Sequence, residues 1–201
     1  MPDLSLEYEL GGVVVGIDEV GRGPLAGPVI AAAVILDVKR MPPRLLEKLD
    51  DSKALSAKLR RELESLLTDC ALIGLGRAEV AEIDQINILK ATMQAMSRAY
   101  DALGKRADWA LVDGNRPPKL SCRVRTVVRG DSISLSIAAA SVVAKVARDR
   151  EMAQLAEHFP GYGWERNAGY GTAEHMDALS RLGATPHHRR SFAPVRAITD
   201  H

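Results

Sequence analysis

Val13-Val14-Val15-Gly16-Ile17-Asp18-Glu19-Val20-Gly21-Arg22-Gly23-Pro24-Leu25-Ala26-Gly27-Pro28, continuing into Val29-Ile30-Ala31-Ala32-Ala33-Val34-Ile35-Leu36, is the stretch that decides the fold. The run Val13–Ile17 reads as a buried strand that delivers two adjacent carboxylates, Asp18 and Glu19, at its polar end. The run Val29–Leu36 is short, apolar and bounded by Pro28 and Asp37, so it reads as a second strand. A glycine-rich turn between two strands is a hairpin. The spacing Gly21-Arg22-Gly23-Pro24-Leu25-Ala26-Gly27 departs from the GxGxxG of a dinucleotide-binding loop, and that loop would open an amphipathic helix. No such helix follows, so a βαβ nucleotide fold is set aside.

Outward from the hairpin, Met41-Pro42-Pro43 marks a loop and Asp50-Asp51-Ser52-Lys53 a polar turn. Ser56 is placed to cap a helix with the apolar stripe Leu59, Leu63, Leu66 and Leu67. Cys70–Gly76 reads as a strand. Glu79–Leu103 reads as one long helix, with Leu89, Met93, Met96, Tyr100 and Leu103 on its core side. Trp109–Val112 and Val124–Val128 are short buried-type strands ending at Asp113 and at Arg129-Gly130-Asp131. Ile133–His158 is a long helix, rich in Ala and Ser over its first half and stopped by Phe159-Pro160-Gly161. Thr172 caps a short helix that ends at Leu182-Gly183. Strands alternating with helices in this order predict an α/β fold: a mixed sheet flanked by helices, with a C-terminal helical extension. The expected division is a catalytic domain over 1–145 and an extension over 146–201.

The bulk of the chain narrows its class. At 201 residues it fits one domain, and 46% hydrophobic with 26% charged residues excludes general disorder. Two distant cysteines, Cys70 and Cys122, fit neither a zinc site nor a disulfide framework. With no apolar run of membrane-spanning length and no basic leader before Glu7 and Glu9, a cytoplasmic protein with no membrane partner is expected. The net charge of +1 carries no message about nucleic acid, but its distribution does. The stretch Thr185–Arg196 is purely basic, and with Lys145 it becomes a candidate for phosphate contact once an acidic metal site is proposed. His187 and His188 are adjacent, so their side chains diverge, and they read as surface or phosphate contacts rather than as shared metal ligands.

Three strand ends present acids: Asp18 with Glu19, then Asp113, then Asp131. The crevice beyond the strand ends of an α/β sheet is its usual ligand site. Four carboxylates without a partnered His or Cys form a hard oxygen set that favours Mg²⁺ or Mn²⁺ over zinc. A pair of such ions suits in-line displacement at a phosphodiester.

The segment Gly16–Val29, Asp51-Ser52-Lys53, Asp113-Gly114-Asn115, Gly130-Asp131-Ser132 and the run Ile137–Lys145 together resemble bacterial ribonuclease HII, a type 2 ribonuclease H. Gly169-Tyr170-Gly171-Thr172 and His188-Arg189-Arg190-Ser191-Phe192-Ala193-Pro194-Val195 extend the resemblance to nearly the whole chain. It implies an RNase H-like fold and endonucleolytic cleavage of RNA in RNA–DNA hybrids. It further implies incision at single ribonucleotides in duplex DNA, leaving 3′-hydroxyl and 5′-phosphate ends, with two metal ions during catalysis. It implies that Asp18, Glu19, Asp113 and Asp131 form the catalytic metal site, and that Gly21-Arg22-Gly23 and Tyr170 read the ribonucleotide. Lys53, Lys145, Arg189 and Arg190 complete the expected substrate-binding set. Where relatives often carry a basic residue before the Gly-Tyr pair, this chain has Ala168. No sliding-clamp motif is expected, and a monomer is. Two readings compete with this one: a non-cleaving nucleic-acid-binding module of the same fold, and another divalent-metal-dependent nuclease.

Overall fold

The computed structural model describes residues 1–50 and 52–199. Asp51, Asp200 and His201 lie outside the described residues, and with Asp51 goes part of the Asp51-Ser52-Lys53 motif. The strands are β1 (Val14–Val20), β2 (Val29–Leu36), β3 (Ala71–Ala78), β4 (Trp109–Asp113) and β5 (Arg123–Val127). They form a sheet in the order β3-β2-β1-β4-β5. The hairpin β1–β2 is antiparallel, as the sequence predicts, with Ile17 opposite Ala33 and Glu19 opposite Ala31. β3 continues it antiparallel, whereas β4 and β5 run parallel to β1.

Around the sheet lie α1 (Ser5–Leu10), α2 (Pro43–Lys48), α3 (Ala57–Cys70), α4 (Val80–Ile86), α5 (Ile88–Ala102), α6 (Leu135–His158), α7 (Trp164–Asn167), α8 (Ala173–Leu182) and α9 (Ala193–Thr199). The period-2 alternation of β1 sorts its side chains between the two layers. Val15 and Ile17 join Ala31, Ala33 and Val112 against Ala91, Ala95, Met96, Ala99 and Tyr100 of α5. On the other face Val14 and Leu111 meet Ile137 of α6, while Ala32 and Val34 meet Ala139 and Ala140 of α6 and Leu63 and Leu67 of α3. The small residues Ala138–Ser141 and Ala144, all buried, let α6 lie close on the central strands.

Several expectations need correction. The single helix expected over Glu79–Leu103 is two, because Asn87 takes a left-handed φ of 71° and its side chain then accepts from the Lys90 N–H to cap α5. With ψ at 161° the backbone there is extended out of the helical path, so two in-phase apolar stripes flank a break. Leu89 sits near the break and is exposed rather than packed in the core. The Met41–Pro43 loop leads into α2, which Pro43 starts at its first turn. Asp131 lies not at a strand end but on a one-turn 3₁₀ segment, Gly130–Ser132. The division expected between residues 145 and 146 falls inside α6, which runs unbroken from the sheet into the C-terminal region. That region packs through Met152, Tyr162, Trp164 and Ala178 against Ala26, and through Leu179 and Val195 against Leu25. Both Leu25 and Ala26 belong to the glycine-rich turn. Among the described residues, no helix is long and apolar enough to cross a membrane.

Candidate metal centre and substrate face

Asp18 and Asp113 are far apart in sequence, and strand register brings them together. β1 and β4 are parallel neighbours with Ile17 beside Val112, so one residue further on Asp18 and Asp113 emerge side by side. By the alternation of each strand both sit on the α6 face. Glu19 joins them: a carboxylate oxygen from each of Asp18, Glu19 and Asp113 lies within 4.8 Å of the others. Asp131 stands outside this trio. It is buried on its turn, and the same turn is stitched to Asp113, whose Oδ1 accepts the Gly130 N–H at 2.7 Å.

The site is costly for anions. Burial, and then the charges of Glu19 and Asp113, hold the Asp18 carboxyl well above the usual aspartate range. Burial also raises Glu19, against the pull of Arg22, whose Nη1 lies 3.3 Å from Glu19 Oε1. Glu19 Oε2 is buried with no hydrogen-bond partner among the described residues. An orphaned carboxylate oxygen beside two further carboxylates is what a hard divalent cation satisfies, so the residues present fit such an ion.

The glycine-rich turn and the Tyr170 arm form the adjacent face. Tyr170 is exposed, and its ring edge lies where a Cβ on Gly23 would come within 3.5 Å of Cε1. Gly21 has a further reason to be glycine: its φ is +93°, and a Cβ there would stand 2.3 Å from Arg148 Nε. Lys53 extends over Asp131, with Nζ 3.9 Å from Oδ2, on a segment pinned from beneath. The Ser141 hydroxyl donates to Ser52 Oγ at 2.8 Å, and Arg60 Nη1 donates to the Ser52 and Leu55 carbonyls. Lys145 is ion-paired with Asp149 one turn along α6 and lines a basic cleft with Arg60, Arg61 and Arg150. Arg190 is exposed, and its backbone N–H is anchored by Asp84.

Arg189 and His188 contradict the expectation of a solvated or phosphate-facing tail. Arg189 is fully buried and donates to the backbone carbonyls of Gly21, Arg22 and Gly27. It braces the glycine-rich turn from within and is not available to a phosphate. Burial, then Arg148 nearby, lowers its pKa to about 9, so it keeps its proton at neutral pH. His188 is buried against His175 and Trp164. Arg148 is the bracing residue that sequence reasoning passed over. It donates to the carbonyls of Pro28, Ala26 and Ala168 and so ties the turn to the arm that carries Tyr170. It lies in the charged run Lys145–Glu151, and the available signal was its helical spacing with Ile137, Ser141, Ala144 and Met152, a buried stripe on which an arginine must spend its donors internally.

A family model described as Ribonuclease HII matches residues 15–195. The chain is 71% identical over 195 residues to a ribonuclease HII of Paramagnetospirillum magneticum, covering 97% of each chain. It is 67% identical over 198 residues to one of Rhodospirillum rubrum, covering 98% of this chain and 91% of that one. Among solved structures, the ribonuclease H2 of Pyrococcus horikoshii superposes with a TM-score of 0.77 at 27% identity, over 93% of this chain and 97% of that one.

Proposed function

The chain belongs to the ribonuclease HII family, the metal-dependent endoribonucleases of RNA–DNA hybrids, and from that premise we propose how its own residues divide the work. Asp18, Glu19 and Asp113 hold the divalent cations, Mg²⁺ or Mn²⁺, and Asp131 completes the set from its turn. Bound there, such ions supply activated water and charge neutralisation for in-line hydrolysis of a phosphodiester. Arg22, beside Glu19, holds that carboxylate in place. The backbone of Gly21-Arg22-Gly23 and the ring of Tyr170 take the ribose of the ribonucleotide, whose 2′-hydroxyl distinguishes RNA from DNA. Tyr170 stacks on the sugar or base that follows. Lys53, Lys145 and Arg190 offer charge to the flanking phosphates. The substrate class then includes DNA duplexes with a single embedded ribonucleotide, cut to 3′-hydroxyl and 5′-phosphate ends. Cytoplasmic placement belongs to the same reading, supported by two free thiols, Cys70 and Cys122.

The observation that carries this is the convergence of three carboxylates, one with an orphaned buried oxygen, next to the Gly23–Tyr170 face. A labelled duplex with one ribonucleotide, incubated with Mg²⁺, with Mn²⁺ and with EDTA, tests it. Incision at the ribonucleotide only when metal is present is expected. Full cleavage in EDTA, or equal cleavage of an all-DNA duplex, would overturn it.

A further inference from the structure

The arm carrying Tyr170 has a backbone it would not adopt alone. Ala168 has a φ of 49° and Gly169 a φ of 81°, both left-handed. Glycine adopts that region freely, but for Ala168 it is strained and persists only where the surroundings over-determine it. Three successive carbonyls of the arm accept from three different elements. Arg148 Nη1 of α6 donates to Ala168 O at 2.8 Å, the Leu25 N–H of the glycine-rich turn to Gly169 O at 2.8 Å, and His175 of α8 reaches Tyr170 O through Nδ1 at 2.9 Å. The first two tie the arm to the turn. The third acts beside the Thr172 N–H, which also donates to Tyr170 O at 2.8 Å, and it is the bond that ties this residue to the buried histidines.

The hydrogen-bond partners leave one arrangement for the histidines. The Thr185 N–H can only donate, and it lies 2.9 Å from His188 Nδ1, so that nitrogen accepts. Trp164 Nε1–H can only donate, and it lies 3.0 Å from His175 Nε2, so that nitrogen accepts as well. His188 Nε2, 3.0 Å from the same His175 Nε2, therefore carries a hydrogen and donates it. His175 Nδ1–H is left to donate to the Tyr170 carbonyl, which can only accept. Both rings are neutral and fully buried. Burial, followed by the neighbouring histidines, lowers His188 to about 4, which agrees with that assignment.

We propose that His175 and His188 are positioning residues for the hydrolysis: as a neutral pair they fix the Tyr170 carbonyl and so the aim of its ring over Gly23. This rests on the reading of Tyr170 as a substrate contact. A histidine pair buried merely to fill the core would need no donor directed at the arm, and an apolar residue would serve.

The full chain with Mg²⁺ and a duplex bearing one ribonucleotide gives the test, through kcat/KM for His175→Leu, His175→Asn and His188→Asn, each alone and combined with Tyr170→Ala. Asn at 175 keeps an N–H where Nδ1–H stands, and Leu does not. His175→Leu is expected to lose about tenfold or more, His175→Asn to recover most of that, and His188→Asn to lose severalfold. In the Tyr170→Ala background all three should change the rate by less than about twofold, since the ring they aim is gone. Additive losses in that background overturn the proposal, as does His175→Asn failing as badly as His175→Leu. Should His175→Leu not fold, His188→Asn carries the same comparison, because its Oδ1 still accepts from the Thr185 N–H. If Tyr170→Ala alone is fully active, it is the underlying reading of Tyr170 that fails, a distinct outcome.

Discussion

Asp18 shows what the carboxylate cluster costs the protein that carries it. Its carboxylate is buried next to Glu19 and Asp113, and its pKa is raised above the unfolded value. A carboxyl raised in the folded state contributes stability below its unfolded pKa and loses it as pH rises through the folded value. Above the ordinary aspartate range the metal-free protein therefore bears a penalty that grows with pH, and Asp18→Asn removes it without changing shape. The metal-free melting temperature of Asp18→Asn should rise by a few degrees, roughly 2–4 °C for each kcal/mol. The gain should shrink as pH falls towards the ordinary aspartate range. The same substitution should cut turnover by at least about a hundredfold and diminish the melting shift that Mg²⁺ produces. Calorimetry in EDTA and in Mg²⁺ checks both, and a lower metal-free melting temperature for Asp18→Asn would contradict the assignment.

Among elements, the approach of α6 to β1 decides where the site stands. A Cβ at Gly16 would lie 2.1 Å from the Ser136 carbonyl carbon, so the helix backbone rests directly on the strand. Because backbone and not a flexible side chain occupies the space, Gly16→Ala must push α6 away. The loss should be about 3 kcal/mol or more, with activity falling in parallel as Ser141 and the Ser52–Lys53 segment shift. Ser56→Ala, which removes only the cap received by the Leu59 N–H, should cost about 1 kcal/mol and leave activity intact. Urea unfolding of the two variants separates these cases. The cap was readable from Ser56 and the leucine stripe behind it. The contact at Gly16 was not, since a glycine inside an apolar strand does not name the backbone that approaches it.

Over the whole molecule, the net charge of +1 conceals cationic side chains with opposite duties. Lys53 is largely exposed above the acids, whereas Arg189 is sealed beneath the glycine-rich turn with carbonyls as its partners. Lys53→Ala should lower the slope of log affinity against log salt by about one, through the loss of one released counterion. Arg189→Ala should instead lower stability by several kcal/mol, of order 3–5, because buried carbonyls lose their donors, while the salt slope of the folded fraction stays unchanged. Filter binding of a hybrid duplex across a salt series, with unfolding measured in parallel, distinguishes a phosphate contact from a brace. A reduced slope for Arg189→Ala would show that the tail does face the nucleic acid.

The sequence by itself determined the hairpin at Val14–Leu36, the remaining strands to within a residue or two, and the strand-end acids Asp18, Glu19 and Asp113 that converge, because alternation, turn residues and strand-end carboxylates are local signals. Its resemblance to a family added the expectation that the Gly21–Gly23 turn and Tyr170 work beside those acids. Tertiary structure alone decided the rest. The β1–β4 register set Asp18 beside Asp113, and the Asn87 conformation split one expected helix into two. The inward turn of Arg189 and His188 reversed their expected exposure. A basic run looks the same in sequence whether its guanidinium groups meet solvent or backbone carbonyls. Only the packing of α6 and α8 around the glycine-rich turn buries Arg148, Arg189, His175 and His188, and burial is what turns charged or titratable side chains into braces for that turn and the Tyr170 arm.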